Sequence, residues 1–246
     1  MKIKRQSCVL FYTFHRGKTE NLCDNWEMNK QKISVIFDCD GTIMKSLILG
    51  LGAYNYALEK VGARTHAPEE IKQFFGAGAD RIFMKLLGDQ KRAKDAYEYY
   101  FEFESKQVHK IVLHQGIKEL LDQLKANEIK MGVVTGRHFR EVESMFNHHN
   151  LFPYFGSIVC DNHLENSKPH PEGINLAMKK LNVKPQDTFY VGDAVMDILL
   201  AKSAGARPIA ALWDDWANPD EMQKENPVFM ARTPGDIWSF LDFNKF

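Results

Sequence analysis

Asp38-Cys39-Asp40-Gly41-Thr42 follows the apolar run Ile33-Ser34-Val35-Ile36-Phe37, so two carboxylates and a glycine turn stand at the end of a buried strand. That set suits phosphoryl transfer: one carboxylate attacks phosphorus, the second moves the proton, and the pair offers hard oxygen ligands to Mg²⁺. Alone, the stretch reads equally as an acidic turn in which Gly41 supplies backbone freedom. Three downstream segments add companions. Lys130-Met131-Gly132-Val133-Val134 delivers Thr135, a neutral donor, and then Gly136-Arg137. Lys168 stands just before Pro171, which fits a first helical turn, and is a point charge for phosphate. The strand Thr188-Phe189-Tyr190-Val191-Gly192 ends at Asp193, with Asp197 four positions on, adding two carboxylates.

Taken singly, Thr135 reads as a turn residue, Lys168 as a solvated cation and Asp193 as a helix N-cap. Taken together, each falls at the C-terminal end of a strand, and in an open parallel α/β sheet those ends line one crevice. A transferring phosphoryl group spreads its charge over three equatorial oxygens, so its site must surround them with a metal, a cation and neutral donors. Lys168, Thr135 and the Asp40 to Thr42 turn, with Gly41 and Thr42, supply such groups, as does Gly136. Arg137 reads either as a phosphate-side cation or as a solvated surface group.

The elements that must position these residues follow from periodicity. Far more residues separate Thr42 from Thr135 than a βα loop holds. Leu47 to Val61, Pro68 to Phe75, Asp80 to Leu87 and Gln90 to Val108 carry helix formers and aromatics at helical spacing, broken by Gly62, Gly76, Gly78 and Gly88. We therefore expect a helical cap at residues 47–113, inserted into a core of residues 33–46 and 114–246, with residues 1–32 as an extension. Phe74, Phe75, Phe83, Tyr97, Tyr100, Phe101 and Phe103 read as cap packing. The turn Gly76-Ala77-Gly78-Ala79-Asp80-Arg81 either faces substrate, with Arg81 as a forked anion contact, or is a plain helix connector. A lid of this kind excludes water and selects the leaving group.

The four segments together resemble the haloacid dehalogenase superfamily of phosphohydrolases, whose motifs are DxDGT, a strand ending in Ser or Thr, a Lys, and GDxxxD. The resemblance spans residues 32 to 240 and looks closest to the phosphoglycolate phosphatase and pyrophosphatase branch. It implies a doubly wound parallel α/β sheet with an inserted α-helical cap. It also implies a Mg²⁺-dependent phosphatase hydrolysing a small soluble phosphomonoester through an aspartyl phosphate. Carried over by position, Asp38 is the nucleophile, Asp40 the acid/base, and Thr135 and Lys168 the phosphate clamps. Asp38, Asp40 and Asp193 become metal ligands, with Asp197, the motif's last acid, beside them or joined through water. One departure stands out: relatives carry an acid and a small hydroxyl residue shortly after DGT, whereas here Lys45-Ser46 occupies those positions. Lys45 then pairs with Asp40, reaches the substrate tail, or faces solvent. Phosphoglycolate, pyrophosphate, a nucleotide and a sugar phosphate all fit the same core. A phosphomutase shares the first chemical step, and a phospho-accepting receiver domain uses a similar residue set.

Composition agrees. The chain has 246 residues, 44% hydrophobic content and a formal net charge of +0, which gives no broad footprint for nucleic acid. Cys8, Cys23, Cys39 and Cys160 show no CxxC pairing, consistent with a reducing cytoplasm. Cys39 should turn away from Asp38 by strand alternation. No apolar run approaches the roughly 20 residues a membrane span needs. Met28 stands just ahead of the first core strand, so residues 1–27 read as a dispensable extension. Trp213-Asp214-Asp215-Trp216 reads as crevice rim, subunit contact or capped loop. Oligomeric state is not legible.

Overall fold

The computed structural model describes residues 33–243 and, before them, two short strands, β1 (Tyr12–His15) and β2 (Lys18–Asn21), which pair antiparallel. The expected extension otherwise lies outside the described residues. The remaining strands are β3 (Ser34–Phe37), β4 (Met44–Lys45), β5 (Val112–Leu113), β6 (Lys130–Thr135), β7 (Ser157–Cys160), β8 (Thr188–Gly192), β9 (Arg207–Ala211) and β10 (Phe229–Ala231). Six of them form one parallel sheet in the order β10-β9-β8-β3-β6-β7. The strand order reverses at β3, so the ends of β3 and β8 flank the switch point where ligands of such sheets bind.

Helices cover both faces of this sheet, which explains why β3 reads as a continuous apolar run and not as an alternation. Val35, Phe37, Val133 and Val191 share one cluster with helices α5 (Ile117–Ala126), α6 (Phe139–His149) and α10 (Pro234–Phe243). Ile36, Val134 and Tyr190 face the other side, against α7 (Glu172–Leu181) and α8 (Val195–Ser203). Ser34 and Thr188, both buried, share a 2.8 Å hydroxyl bond across β3 and β8, so neither polar group is left unpaired. A short helix, α9 (Pro219–Lys224), packs beside α8.

Four helices fill the insertion: α1 (Leu47–Lys60), α2 (Pro68–Lys72), α3 (Ala79–Leu87) and α4 (Gln90–Lys106). They bury their own apolar cluster, with Tyr54, Leu58, Ile71, Phe83, Tyr97 and Tyr100 at its centre. Asp89 caps α4 by accepting the Arg92 N–H at 2.7 Å, and Gly88, with φ 63, ends α3. The chain enters and leaves this unit through a neck in which β4 pairs antiparallel with β5. Among the described residues no helix is long and apolar enough to cross a membrane.

Candidate active site

A cavity of about 1060 Å³ opens between the sheet's C-terminal edge and the helical insertion. On its floor are Asp38, Asp40, Gly136, Arg137, Lys168, Asp193 and Asp197. On its roof are Tyr54, Phe75, Gly76, Ala77, Ile82 and Tyr100, while Asp215 and Trp216 stand at the rim. Strand ends far apart in the chain thus converge on one space.

Asp38 follows β3, and its backbone N–H donates to the Val191 carbonyl of β8 at 2.8 Å, which sets its side chain beside the Asp193 loop. Lys168 Nζ lies 2.7 Å from Asp38 Oδ1 and 3.0 Å from Asp197 Oδ1. Burial alone would pull the lysine down, but the two carboxylates outweigh it and hold the ammonium well above its ordinary value. Tyr190 lies beneath, donating to the Val134 carbonyl at 3.1 Å, with Lys168 Nζ 5.5 Å from its ring centre. Asp197 also accepts the Ala194 N–H at 3.1 Å, which caps α8.

Ligand oxygens of Asp38, Asp193 and Asp197 all lie within 4.8 Å of one another. Burial pushes the Asp38 carboxyl up to about 7 against the pull of Lys168. Asp193 is driven well above the usual range by burial and by Asp197 and Asp38. A single ammonium does not balance three carboxylates, and hard oxygens so placed fit a cation such as Mg²⁺. Gly41 serves this cluster. Its φ is +72, and a Cβ there would stand 2.2 Å from Asp193 Oδ2, so only glycine lets the carboxylate approach.

In the turn expected to bind phosphate, the Gly41 N–H donates to the Met44 carbonyl at 2.9 Å and closes the turn, while Thr42 Oγ1 donates to Asp193 Oδ1 at 3.1 Å and steadies the acidic cluster. Trp213 Nε1 donates to the Thr42 carbonyl at 2.9 Å and ties that turn to the loop after β9. Thr135 is buried at the tip of β6, where its Oγ1 accepts the Arg137 N–H at 3.2 Å.

Asp40 does not join the acidic cluster. Both of its oxygens face Arg137 Nε, at 2.8 and 2.9 Å, and the Ser46 hydroxyl donates to Oδ1. Arg137 lines the cavity floor but is not solvated; its guanidinium is buried among Asp40, Glu104 and Glu141. Lys45 takes the rim, pairing with Asp215 at 3.2 Å. Arg81 is placed apart from the cavity lining: its Nε meets Asp161 Oδ2 at 3.0 Å, and its other nitrogens donate to the Leu164 and Glu165 carbonyls at 2.9 and 3.1 Å. The glycine turn itself does reach the site. Gly76 lines the cavity, and a Cβ on Gly136 would stand 2.9 Å from the Gly76 carbonyl, so the two loops touch backbone to backbone. Cys39 packs into the core, where burial drives its thiol well above the ordinary value.

Of the three readings open for the Trp213 to Trp216 segment, the crevice rim is where Asp215 and Trp216 stand, whereas Glu104 and Glu141 were not singled out as site residues. Glu104 carried a signal nonetheless, as the charged residue on the α4 face that also presents Ala93, Ala96, Tyr97 and Tyr100 to the interior. Glu141 is hidden in an ordinary amphipathic helix, and its role depends on where the loop puts Arg137.

Comparison with known proteins agrees with this geometry. Pyrophosphatase PpaX of Bacillus pumilus is 28% identical over 216 residues, covering 87% of this chain and 99% of that protein. Phosphoglycolate phosphatase of Vibrio parahaemolyticus is 27% identical over 222 residues, covering 85% and 96%. The crystal structure of a predicted phosphoglycolate phosphatase from Haemophilus somnus superposes with a TM-score of 0.75 at 22% identity, covering 85% of this chain and 98% of that one, and so shares the fold. The family model for haloacid dehalogenase-like hydrolases matches residues 35–211, from β3 through β9, and the chain belongs to that family of enzymes.

Proposed function

We propose that this chain is a Mg²⁺-dependent phosphatase that hydrolyses a small phosphomonoester through an aspartyl phosphate on Asp38. The observation that carries the reading is the placement of Asp38 at the sheet's switch point, 2.7 Å from Lys168 and within reach of Asp193, on the floor of a roofed cavity. The pyrophosphatase and phosphoglycolate phosphatase relatives support a small phosphate substrate.

In this reading a carboxylate oxygen of Asp38 attacks phosphorus in line, and the ester oxygen leaves with a proton from Asp40. Asp40 then takes a proton from water, whose oxygen attacks the aspartyl phosphate, so inorganic phosphate departs and Asp38 is restored. Lys168 holds one phosphoryl oxygen, with the Thr135 hydroxyl as a neutral donor nearby. Asp38 and Asp193 would hold the Mg²⁺, with Asp197 adjacent. When bound, the ion neutralises the carboxylates and draws charge from the phosphoryl oxygens.

We take residues 33–46 and 114–246 as the catalytic body and residues 47–113 as a cap that shelters the cavity; the separate apolar cluster of the insertion and its two-stranded neck support that division. The buried thiols Cys39 and Cys160 suit a reducing cytoplasm. The test is release of inorganic phosphate from p-nitrophenyl phosphate and a panel of phosphorylated metabolites with Mg²⁺. Asp38→Asn should lower kcat by on the order of 10⁴-fold, the scale seen when a triad member is lost, with the fold retained by circular dichroism. Chelation should stop the wild type, and added Mg²⁺ should restore it. Near-wild-type turnover by Asp38→Asn, or isomerised sugar phosphate in place of free phosphate, overturns the proposal.

A further inference from the structure

Arg137 is 6% exposed and meets three carboxylates from three segments. Its Nε faces both oxygens of Asp40 at 2.8 and 2.9 Å. Its two terminal nitrogens grip Glu104 of α4 as a fork, at 2.6 and 3.1 Å, and Nη1 also reaches Glu141 of α6 at 3.3 Å. A planar guanidinium so loaded cannot turn toward one partner without releasing another. Two of these holds originate in the insertion: Glu104 acts on Arg137 directly, and the Tyr97 hydroxyl donates to Glu141 at 2.7 Å. Displacing the insertion therefore pulls on the group that orients Asp40.

We infer that Arg137 is a positioning residue that fixes the Asp40 carboxylate in the cavity and, through Glu104, makes its orientation depend on the seating of the helical insertion. The inference rests on the phosphatase reading, in which Asp40 gives its proton to the departing oxygen. Arg137 acts on that step through Asp40 and Glu104 acts through Arg137. A displacement of about 1 Å in such a group costs up to roughly 100-fold in rate. Glu104 thereby ties a cap helix to the chemistry.

The test compares two substrates of the Mg²⁺-loaded enzyme. Glycerol 2-phosphate has a basic leaving oxygen that needs the proton, whereas p-nitrophenyl phosphate departs without it. Glu104→Gln keeps the side chain's size and breaks the fork. Its kcat/KM on glycerol 2-phosphate should fall about 30-fold or more and on p-nitrophenyl phosphate by less than about 3-fold, because kcat/KM reports the steps through departure of the leaving oxygen, whereas kcat also includes the hydrolysis of the aspartyl phosphate that both substrates share. Arg137→Lys should show the same split, since it keeps the charge and loses the fork. Tyr97→Phe, which keeps the ring, should show it more weakly, and Glu104→Asp should recover part of the loss. Equal losses of kcat/KM on both substrates in these variants, or no loss on either, overturn the assignment. Should Glu104→Gln fail to fold, Tyr97→Phe and Arg137→Lys carry the same comparison. A wild type that releases phosphate from neither substrate counts against the phosphatase reading, whereas an active wild type with no leaving-group split in its variants counts against Arg137 alone.

Discussion

Asp38 stands where burial opposes its charge, and its carboxyl is pushed up to about 7 although Lys168 lies 2.7 Å away. A carboxylate binds a metal only after losing its proton, so with Mg²⁺ held as proposed, protons and the ion compete for this oxygen. Affinity for Mg²⁺ measured by titration calorimetry should be steady well above pH 7 and weaken below it, by roughly tenfold per pH unit for one proton displaced. The heat should vary with the buffer's ionisation enthalpy, because binding releases that proton. An affinity unchanged from pH 8 to pH 6 would show that Asp38 is already ionised, or is not a ligand. At this scale the sequence was legible in the segments that lead from a core strand to the first turn of the next helix: Asp38, Lys168, Asp193 and Asp197 lie together there. It was opaque where a residue's role is set by a neighbour distant in sequence. The Thr42 hydroxyl donates to Asp193 and the Gly41 N–H to the Met44 carbonyl, partners that the turn's own sequence does not announce.

Helix α6 shows how an element carries a pH dependence that its pattern conceals. Its apolar residues Val142, Met145 and Phe146 pack on the sheet, which is why the helix forms there. The same packing buries Glu141 against Arg137, Glu104 and Tyr97. Burial pushes this carboxyl from an ordinary 4.5 up to about 7, against the pull of Arg137. Between those two values the folded chain keeps a proton that the unfolded chain has released. Stability from this group is therefore full below pH 4.5, is lost as pH rises toward 7, and does not return above it. Glu141→Gln cannot titrate, so its Tm should decline less than that of wild type between pH 5 and pH 8, by roughly 3 °C or more. Parallel declines would place Glu141 outside the linkage. Element boundaries themselves were readable: the insertion's helices fall within a few residues of the predicted spans, since glycine breaks and apolar spacing act locally. The two-residue strands β4 and β5 were not, because so short a pairing exists only once the insertion has folded and brought its ends together.

At the scale of the molecule, the insertion and the sheet have separate apolar clusters, bridged where Leu49, Val108 and Ile111 pack on the sheet side and Trp216 on the insertion, and charged and aromatic contacts around the cavity join them further. Lys72 lies 4.1 Å over the Trp216 ring, His138 Nε2 is 2.8 Å from Asp80 Oδ1, and Arg81 pairs with Asp161. Contacts of this kind are individually modest, as the proposed role of the insertion as a lid requires. Arg81 is the sharpest case, because the sequence left it between an anion contact and part of a plain helix connector, while its partners are Asp161 and the Leu164 and Glu165 carbonyls, apart from the cavity lining. Asp161 is 1% exposed, and Arg81 Nε approaches it as an ion pair without hydrogen-bond alignment. Removing the guanidinium strands a buried carboxylate and frees two carbonyls. Arg81→Ala should therefore cost on the order of 2 kcal/mol of stability, discounted from a fully buried pair because the arginine is partly exposed. Amide exchange in α3 should quicken, since that helix loses its tie to the sheet domain. KM for p-nitrophenyl phosphate should stay within about 3-fold of wild type, because the side chain does not line the cavity. An Arg81→Ala variant with unchanged exchange and stability but a tenfold higher KM would return Arg81 to the substrate, and would mean that the glycine turn swings toward the cavity during turnover.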